Sequence, residues 1–207
     1  MNYLIKNVIS KQELEKTYDF LKMIFKGMPV IDNPEYNFEK WEERMKKDSD
    51  LMLYASLDSE VIGIVFGRIM DKDNMTIAHV AVHENYRNTG IAKEMMFLIE
   101  ERAKKHGINS IKLGAVESAE RFYSKLGYTS SLLIQSQIHS IEQLLLLNKK
   151  YNVKFTNIYD GKVNQVCLEL TEPDRNLQRE YENTYKGCYT QMMYSKNIGE
   201  RSKTLRK

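Results

Sequence analysis

The sequence predicts a mixed α/β (α+β) fold in which a mainly antiparallel sheet is flanked by helices. Three apolar segments, 51–57, 61–69 and 76–82, are separated by short polar turns and predict an antiparallel three-stranded meander. Helical and extended patterns then alternate along the rest of the chain. These two observations place the protein in the mixed α/β class.

One strand and two helices are predicted before the meander. Residues 3–8 alternate in polarity, as a strand does. A capping box at 10–13 begins the first helix, which Gly27 and Pro29 end. Its apolar face is formed by Leu14, Tyr18, Leu21 and Phe25. The second helix is short, rich in acids and marked by Phe38, Trp41 and Met45.

Helices and strands alternate after the meander as well. A helix over 90–106 is closed by Gly107, which suits a left-handed C-cap. The following segments are predicted as strand 110–113, helix 118–125, strand 128–135, helix 140–150, hairpin 153–159 and 163–170, helix 173–186, and strand 188–195. From residue 128 onward, this order is that of a ferredoxin-like unit.

We therefore divide the chain into a first domain, 1–135, a C-terminal α/β module, 136–196, and a basic tail, 197–207. The pattern does not decide whether strand 128–135 serves the first sheet, the second, or both. The module contains no cluster of metal ligands or nucleophiles, and no metal site is predicted in the chain.

The composition excludes several classes of protein. A net charge of +3 is too weak to indicate nucleic-acid binding. No apolar run is long enough for a membrane span, and the N-terminus does not resemble a signal peptide. The two cysteines, Cys167 and Cys188, are interpreted as small buried hydrophobic residues. We expect a cytoplasmic protein.

The most informative segment is the turn between the third meander strand and the next helix. It has the sequence Arg87-Asn88-Thr89-Gly90-Ile91-Ala92. Amides in the first turn of a helix have no internal partners, and the helix dipole adds positive charge there, so this end favours a phosphate. Gly90 and Ala92 allow close approach of a ligand, and Arg87 adds a full charge. Taken alone, the pattern also fits a plain tight turn.

The context of this turn resembles the GCN5-related N-acetyltransferase (GNAT) family. Arg87, Gly90 and Ala92 match that family's [Arg/Gln]-x-x-Gly-x-[Gly/Ala] motif, which follows a cofactor-binding strand. The downstream segment 119–128 is similar to the family's A-x-x-F-Y-x-x-L-G-[F/Y] element. The resemblance covers about residues 1–135 and includes the order of the predicted elements.

The resemblance implies acetyl-coenzyme A as the cofactor. Backbone groups of Val80, Ala81 and Val82 are then expected to bind the pantetheine arm. The pyrophosphate is expected on Arg87, Asn88, Thr89, Gly90, Ile91 and Ala92. In the second element, Tyr123 stands at the position of the family's general acid beside Phe122, with a core tyrosine as the alternative. Val116 replaces a common Asn, so either the contact of that Asn with the cofactor is lost or a neighbour such as Ser118 takes it over.

The base is less well defined. His79, His83 and Glu84 lie near the end of the third meander strand, where His79 is expected to share a face with Ile77 and Ala81. His79 and Glu84 are candidate bases, although a histidine at this position is more often structural and Glu84 is more often a strand-end cap or a solvated carboxylate.

The predicted second helix and the loop before it carry acids and aromatic side chains. These acids are Asp32, Glu35, Glu39, Glu42 and Glu43. Such a rim suits a cationic amine, or is simply a solvated helix face.

The sequence thus predicts an N-acetyltransferase that moves an acetyl group from acetyl-CoA to a primary amine of a small molecule or peptide. Direct transfer in a ternary complex is expected, because neither cysteine lies near the motifs. The alternative is a non-catalytic acyl-CoA sensor or assembly module on the same fold. The C-terminal module is expected to support dimerisation or shape the acceptor cleft, so a homodimer is left open.

Overall fold

The computed structural model describes residues 2–28 and 31–199 and divides the chain into two compact units. The first unit is formed by residues 1–111 and 197–207, and the second by residues 112–196. Pro29, expected at the first helix end, and the tail beyond residue 199 lie outside the described residues.

The first unit contains the predicted meander. Its helices and strands are β1 (Leu4–Asn7), α1 (Lys11–Ile24), α2 (Phe38–Asp48), β2 (Met52–Leu57), β3 (Glu60–Ile69), β4 (Asn74–Val82) and α3 (Ile91–Lys105). Strands β1 to β4 pair in sequence order, and every pair is antiparallel. Strand β5 (Ser110–Gly114) carries the chain into the second unit.

Local sequence signals explain where α1 and α2 begin. Ser10 and Glu13 form the predicted capping box at the start of α1, which satisfies free amides at that end. Asn37 caps α2 by accepting a hydrogen bond from the Lys40 amide. The apolar faces of both helices contribute to a core against the sheet, with Leu14, Leu21, Trp41, Met45, Ile64, Phe66 and Ala81 among its buried members.

A β-bulge interrupts β4 in its middle. His79 pairs with Phe66, while Ile77 pairs with Gly67, so Ala78 is the extra residue. A bulge of this kind shifts the alternation of side chains along a strand. The expectation that His79 and Ile77 share a face is therefore wrong.

The two faces can be identified from the residues paired with each position. Phe66, the partner of His79, belongs to the core that α1 and α2 cover. A Cβ on Gly67, the partner of Ile77, would instead lie 3.1 Å from Ile99 of α3. The bulge thus turns His79 toward the α1 and α2 side, together with Ala81.

The second unit has the strand order of a ferredoxin-like unit. It contains α4 (Glu120–Lys125), β6 (Thr129–Ser136), α5 (Ile141–Leu145), β7 (Val153–Tyr159), β8 (Val163–Glu169), α6 (Arg175–Thr184) and β9 (Tyr189–Asn197). The order is β9-β6-β8-β7, with all neighbours antiparallel. Strand β6 was predicted as a strand whose sheet the sequence did not decide, and it lies between β8 and β9 in this sheet.

Several predicted helices are shorter in the structure, and the one predicted over 173–186 spans Arg175–Thr184. Helix α5 ends at Leu145 rather than near Lys150, because the Asn148 side chain bonds both the amide and the carbonyl of Tyr151, and such local bonds compete with a helix. The helix predicted from Ser118 begins as a 3₁₀ turn and becomes α-helical only at Glu120.

The two cysteines differ in their surroundings. Cys167 is buried in β8, and burial raises the pKa of its thiol. Cys188 is only partly buried. Both are free thiols.

Candidate active site

The predicted phosphate turn forms a helix end with unpaired amides. Gly90 is the N-cap of α3 with φ of 94°, and no side chain caps this end. The first helical bond joins the Glu94 amide to the Gly90 carbonyl, so the amides of residues 91–93 precede it. A Cβ on Gly90 would meet no atom within 4 Å, which leaves space for a ligand above the helix end.

Side chains within the turn are used to hold its shape. Arg87 Nε donates to the carbonyl of Val82, at 3.3 Å, and Thr89 Oγ1 donates to the carbonyl of Tyr86, at 2.6 Å. Asn88 has a positive φ of 63°. The exposed residues 87–90 are thus fixed by their own local bonds, while Arg87 links the turn to the end of β4.

The apolar residues among the predicted cofactor-binding residues contact or pair with strand β3. Ile91 is 1% exposed and lies against the Cα position of Gly63 in β3. Val80, Ala81 and Val82 pair with β3. The side chain of Ile91 is therefore structural, and only its backbone amide and that of Ala92 are available to a ligand.

Glu84 and His83 occupy the 3₁₀ turn that connects β4 to the glycine turn. His83 Nδ1 accepts a hydrogen bond from the Asn85 amide at 3.3 Å and so caps this turn. Glu84 is exposed. Both placements are those of surface turn residues, and a role for Glu84 as a base stays a prediction.

His79 lies in a box of aromatic rings in the first unit. Its ring centroid lies 5.1 Å from Tyr36, 5.5 Å from Phe25 and Trp41, and 6.5 Å from Phe66. The side chain is 2% exposed. Burial, with a smaller contribution from the charge of Arg44, lowers the pKa of His79 to about 4. The imidazole is therefore neutral at pH 7.

Three polar atoms of this box lack partners. Neither ring nitrogen of His79 has a hydrogen bond within the described ranges 2–28 and 31–199, and the same holds for Nε1 of Trp41. Each buried unpaired polar group costs roughly 1–3 kcal/mol. Such groups deserve an explanation, and a bound ligand or water supplies one.

The predicted acidic rim is largely neutralised. Glu35 bonds Arg44 and Arg68, Glu42 pairs with Lys46, and Glu43 pairs with Lys40. Neither arginine was singled out from the sequence. Arg68 could have been identified from the sequence as a candidate site residue, because it is a charged residue inside an otherwise apolar strand.

The second predicted motif lies on α4 in the second unit. Tyr123 is 5% exposed, packed against Phe122, Tyr128 and Tyr194 at centroid distances of 5.1, 6.0 and 5.7 Å. Burial raises the pKa of its phenol. The group therefore stays protonated at neutral pH, as a proton donor must.

The residues before α4 lie at the surface. Ser118 and Val116 are both exposed, at and before a 3₁₀ turn over 117–119. The placement does not test whether Ser118 takes over the cofactor contact of the family's Asn, so this role stays a prediction.

Comparison with known proteins agrees with this fold and turn. The chain matches the family model described as an acetyltransferase (GNAT) domain over residues 27–138, more than half of its length. The matched range includes the three-stranded meander and the glycine turn at the start of α3. The chain belongs to the GNAT acetyltransferase family.

Two curated relatives carry the same name. N-acetylaspartate synthetase of Xenopus tropicalis is 29% identical over 137 residues, which are 62% of this chain and 46% of that protein. The Rattus norvegicus protein is 31% identical over 88 residues, 41% of this chain and 29% of that protein. The chain thus spans less than half the length of the synthetases that it matches.

Solved structures show the same fold. A GNAT-family acetyltransferase from Staphylococcus aureus Mu50 aligns with a TM-score of 0.59 at 17% identity, covering 95% of this chain and 99% of that one. N-acetylglutamate synthase from Neisseria gonorrhoeae, complexed with coenzyme A and N-acetyl-glutamate, aligns with a TM-score of 0.51 at 12% identity, covering 96% of this chain and 35% of that one.

None of the helices in the described part of the chain has the length and apolar character that crossing a membrane requires.

Proposed function

We propose that this protein transfers an acetyl group from acetyl-CoA to the nitrogen of a primary amine, by direct transfer in a ternary complex. The observation that carries the proposal is the end of α3, where Gly90 has a positive φ and free space beside amides that precede the first helical bond. Such an end binds phosphate groups. The relatives named for N-acetylated products support nitrogen as the accepting atom.

The residues of the turn fit the cofactor chemically. The amides of residues 88–92 would hold the pyrophosphate, with Arg87 adding positive charge at the rim. Backbone groups of Val80 to Val82 would bind the pantetheine arm as an added strand does. When bound, the cofactor supplies an acetyl thioester, which is open to attack by a neutral amine.

The reaction needs two proton transfers. The amine must lose a proton, and the departing thiolate must gain one. We assign the second to Tyr123, since burial keeps its phenol protonated. For the first, a neutral imidazole at His79 accepts a hydrogen bond from the amine, but a pKa of about 4 makes it a weak base. Its contribution is therefore chiefly to orient the amine, and the proton of the amine passes to water.

A thiol-release assay with acetyl-CoA and a panel of primary amines tests the proposal. We expect release that depends on both the cofactor and an amine. Calorimetry with coenzyme A is run in parallel. Tight binding of coenzyme A without release for any amine would favour the sensor alternative, and absence of both binding and release would contradict the assignment of the turn.

A further inference from the structure

Two arginines of the first unit meet on one carboxylate. Arg44 of α2 and Arg68 of β3 both bind Oε2 of Glu35, with N–O distances of 3.4 and 3.1 Å. Arg44 Nη1 also donates to the backbone carbonyl of Glu35 at 2.6 Å. Two positive charges thus face one negative charge, and the three side chains together carry a net charge of +1.

The arginine pair adjoins the aromatic box around His79. The guanidinium carbon of Arg44 lies 4.7 Å from the Trp41 ring centroid and 6.0 Å from that of Tyr36. Both of these rings contact His79. The side chain of Arg44 is only 16% exposed. One continuous group of side chains therefore runs from the arginine pair to the bulge in β4.

Polar atoms without partners point to a ligand in this region. Both nitrogens of His79, at 2% exposure, and Nε1 of the fully buried Trp41 have no hydrogen bond within residues 2–28 and 31–199. Buried polar groups in native proteins are nearly always paired. A ligand with donor and acceptor groups that enters the aromatic box from the arginine pair would satisfy them.

We propose that the acceptor is an amine that carries a carboxylate, and that this carboxylate binds Arg44 and Arg68 in place of Glu35. The planar guanidinium offers paired donors that match a carboxylate, and two of them define its orientation. This inference rests on the proposed acetyl transfer to an amine, and it names the class of the acceptor.

Glu35 is well suited to being displaced. Its side chain is 50% exposed, and it stands on a three-residue 3₁₀ turn, Pro34–Tyr36, outside the core. It can therefore move into water without unpacking α1 or α2. In the free protein it compensates the charge of the arginine pair, and it competes with any carboxylate that enters.

Binding can be measured without acetyl transfer, because Trp41 is the only tryptophan of the chain. Succinate, which has carboxylates but no amine, is titrated while tryptophan fluorescence is recorded, with succinamide as the uncharged control. We expect a saturable change in fluorescence with succinate and none with succinamide. In R68Q the affinity should fall about tenfold or more, R68K should recover part of it, and K47Q, which removes an exposed cation of α2, should leave it unchanged.

Glu35 provides a second test that a structural role would not mimic. E35Q removes the competing charge while keeping the side chain's size, so succinate should bind several times more tightly. Weaker binding to E35Q, or equal binding of succinate and succinamide by the unaltered protein, would overturn the carboxylate site.

Kinetics separates this inference from the proposed function. Acetylation of an amino acid and of its amide is compared, and KM should be at least about tenfold lower for the carboxylate form. R68Q should remove this difference by raising that KM, with little change in kcat. Efficient acetylation of amines with no preference for the carboxylate would refute the inference alone, whereas failure to acetylate any amine while succinate still binds would refute the proposed function.

Discussion

Gly90 combines two properties that a residue with a side chain cannot supply. Its φ of 94° lies in the left-handed region, and the space beside its Cα is free of protein atoms. The first property sets the path of the turn, and the second leaves the helix end accessible. The open space was expected from the sequence pattern, whereas the left-handed φ is a finding of the structure, and cofactor binding stays a proposal.

Gly90→Glu should abolish coenzyme A binding. The new side chain would fill the free space, strain the backbone at positive φ, and place a negative charge where phosphate is expected. Calorimetry measures the loss. Gly107→Glu is the matched control, because Gly107 at the other end of α3 also has a positive φ and free space beside its Cα. The Gly107→Glu variant should bind coenzyme A normally.

Tyr123→Phe should lower kcat by on the order of 10²-fold with a small change in KM for acetyl-CoA, because only the proton donor is removed. Steady-state kinetics measures both constants. Tyr128→Phe is the control, since Tyr128 is similarly buried and contacts Tyr123. Equal kcat for Tyr123→Phe and the unaltered protein would exclude the acid role.

His79 should make the stability of the protein depend on pH. Its pKa is about 4 in the folded state, against about 6.5 when unfolded, so as pH falls the unfolded chain takes up the proton first. The contribution of neutral His79 to the free energy of unfolding is fully present well above pH 6.5 and is lost as the pH falls toward 4. Linkage predicts a loss of about 2 kcal/mol between pH 7.5 and 5.0.

Urea unfolding at pH 7.5 and 5.0 measures this loss. The variant His79→Leu should lack the loss of about 2 kcal/mol that His79 causes. A substitution of the partly buried His139, in the second unit, should leave the loss in place. An unchanged pH dependence in His79→Leu would mean that His79 is not buried in its neutral form.

At the scale of elements, α4 is held by α6. Arg175 at the start of α6 forms an ion pair with Glu120 at the start of α4, and both side chains are mostly buried. This contact fixes the helix that carries Tyr123. Nothing in the sequence signals it, since the two residues are 55 positions apart.

Arg175→Met should destabilise the second unit by about 1–3 kcal/mol, because it leaves the Glu120 carboxylate buried without its partner. Thermal unfolding measures this effect. Arg179→Met, on the same helix but exposed and bonded to the side chain of Asn176, should change stability by less than about 0.5 kcal/mol. Equal effects of the two substitutions would show that the ion pair contributes nothing.

At the scale of the whole molecule, the segment that carries the second motif, residues 119–128, depends on the C-terminal strands and helix for its packing. Strand β6 is paired on one side with β8 and on the other with β9. Tyr123 packs on Tyr194 of β9, and Glu120 pairs with Arg175. A chain that ends at residue 135, the predicted domain boundary, lacks all of these contacts.

The fragment 1–135 should therefore lose cooperative unfolding of its C-terminal part and expose apolar side chains of β6, including the fully buried Leu132 and Ile134. Dye binding to apolar surface and hydrogen exchange over 112–135 measure this, with the full chain as reference. A fragment as protected as the full chain would establish 135 as a true domain end.

The sequence by itself determined the elements and the turn that bears the motif. Capping boxes, apolar periodicity and glycine positions act over a few residues, so the meander, the α3 helix end and the ferredoxin-like order could all be predicted. Tertiary structure alone decided the bulge at Ala78, which placed His79 in the aromatic box. It also decided the meeting of Arg44 and Arg68 on Glu35. These features depend on pairing between distant segments, and no local pattern records which side chains such pairing brings together.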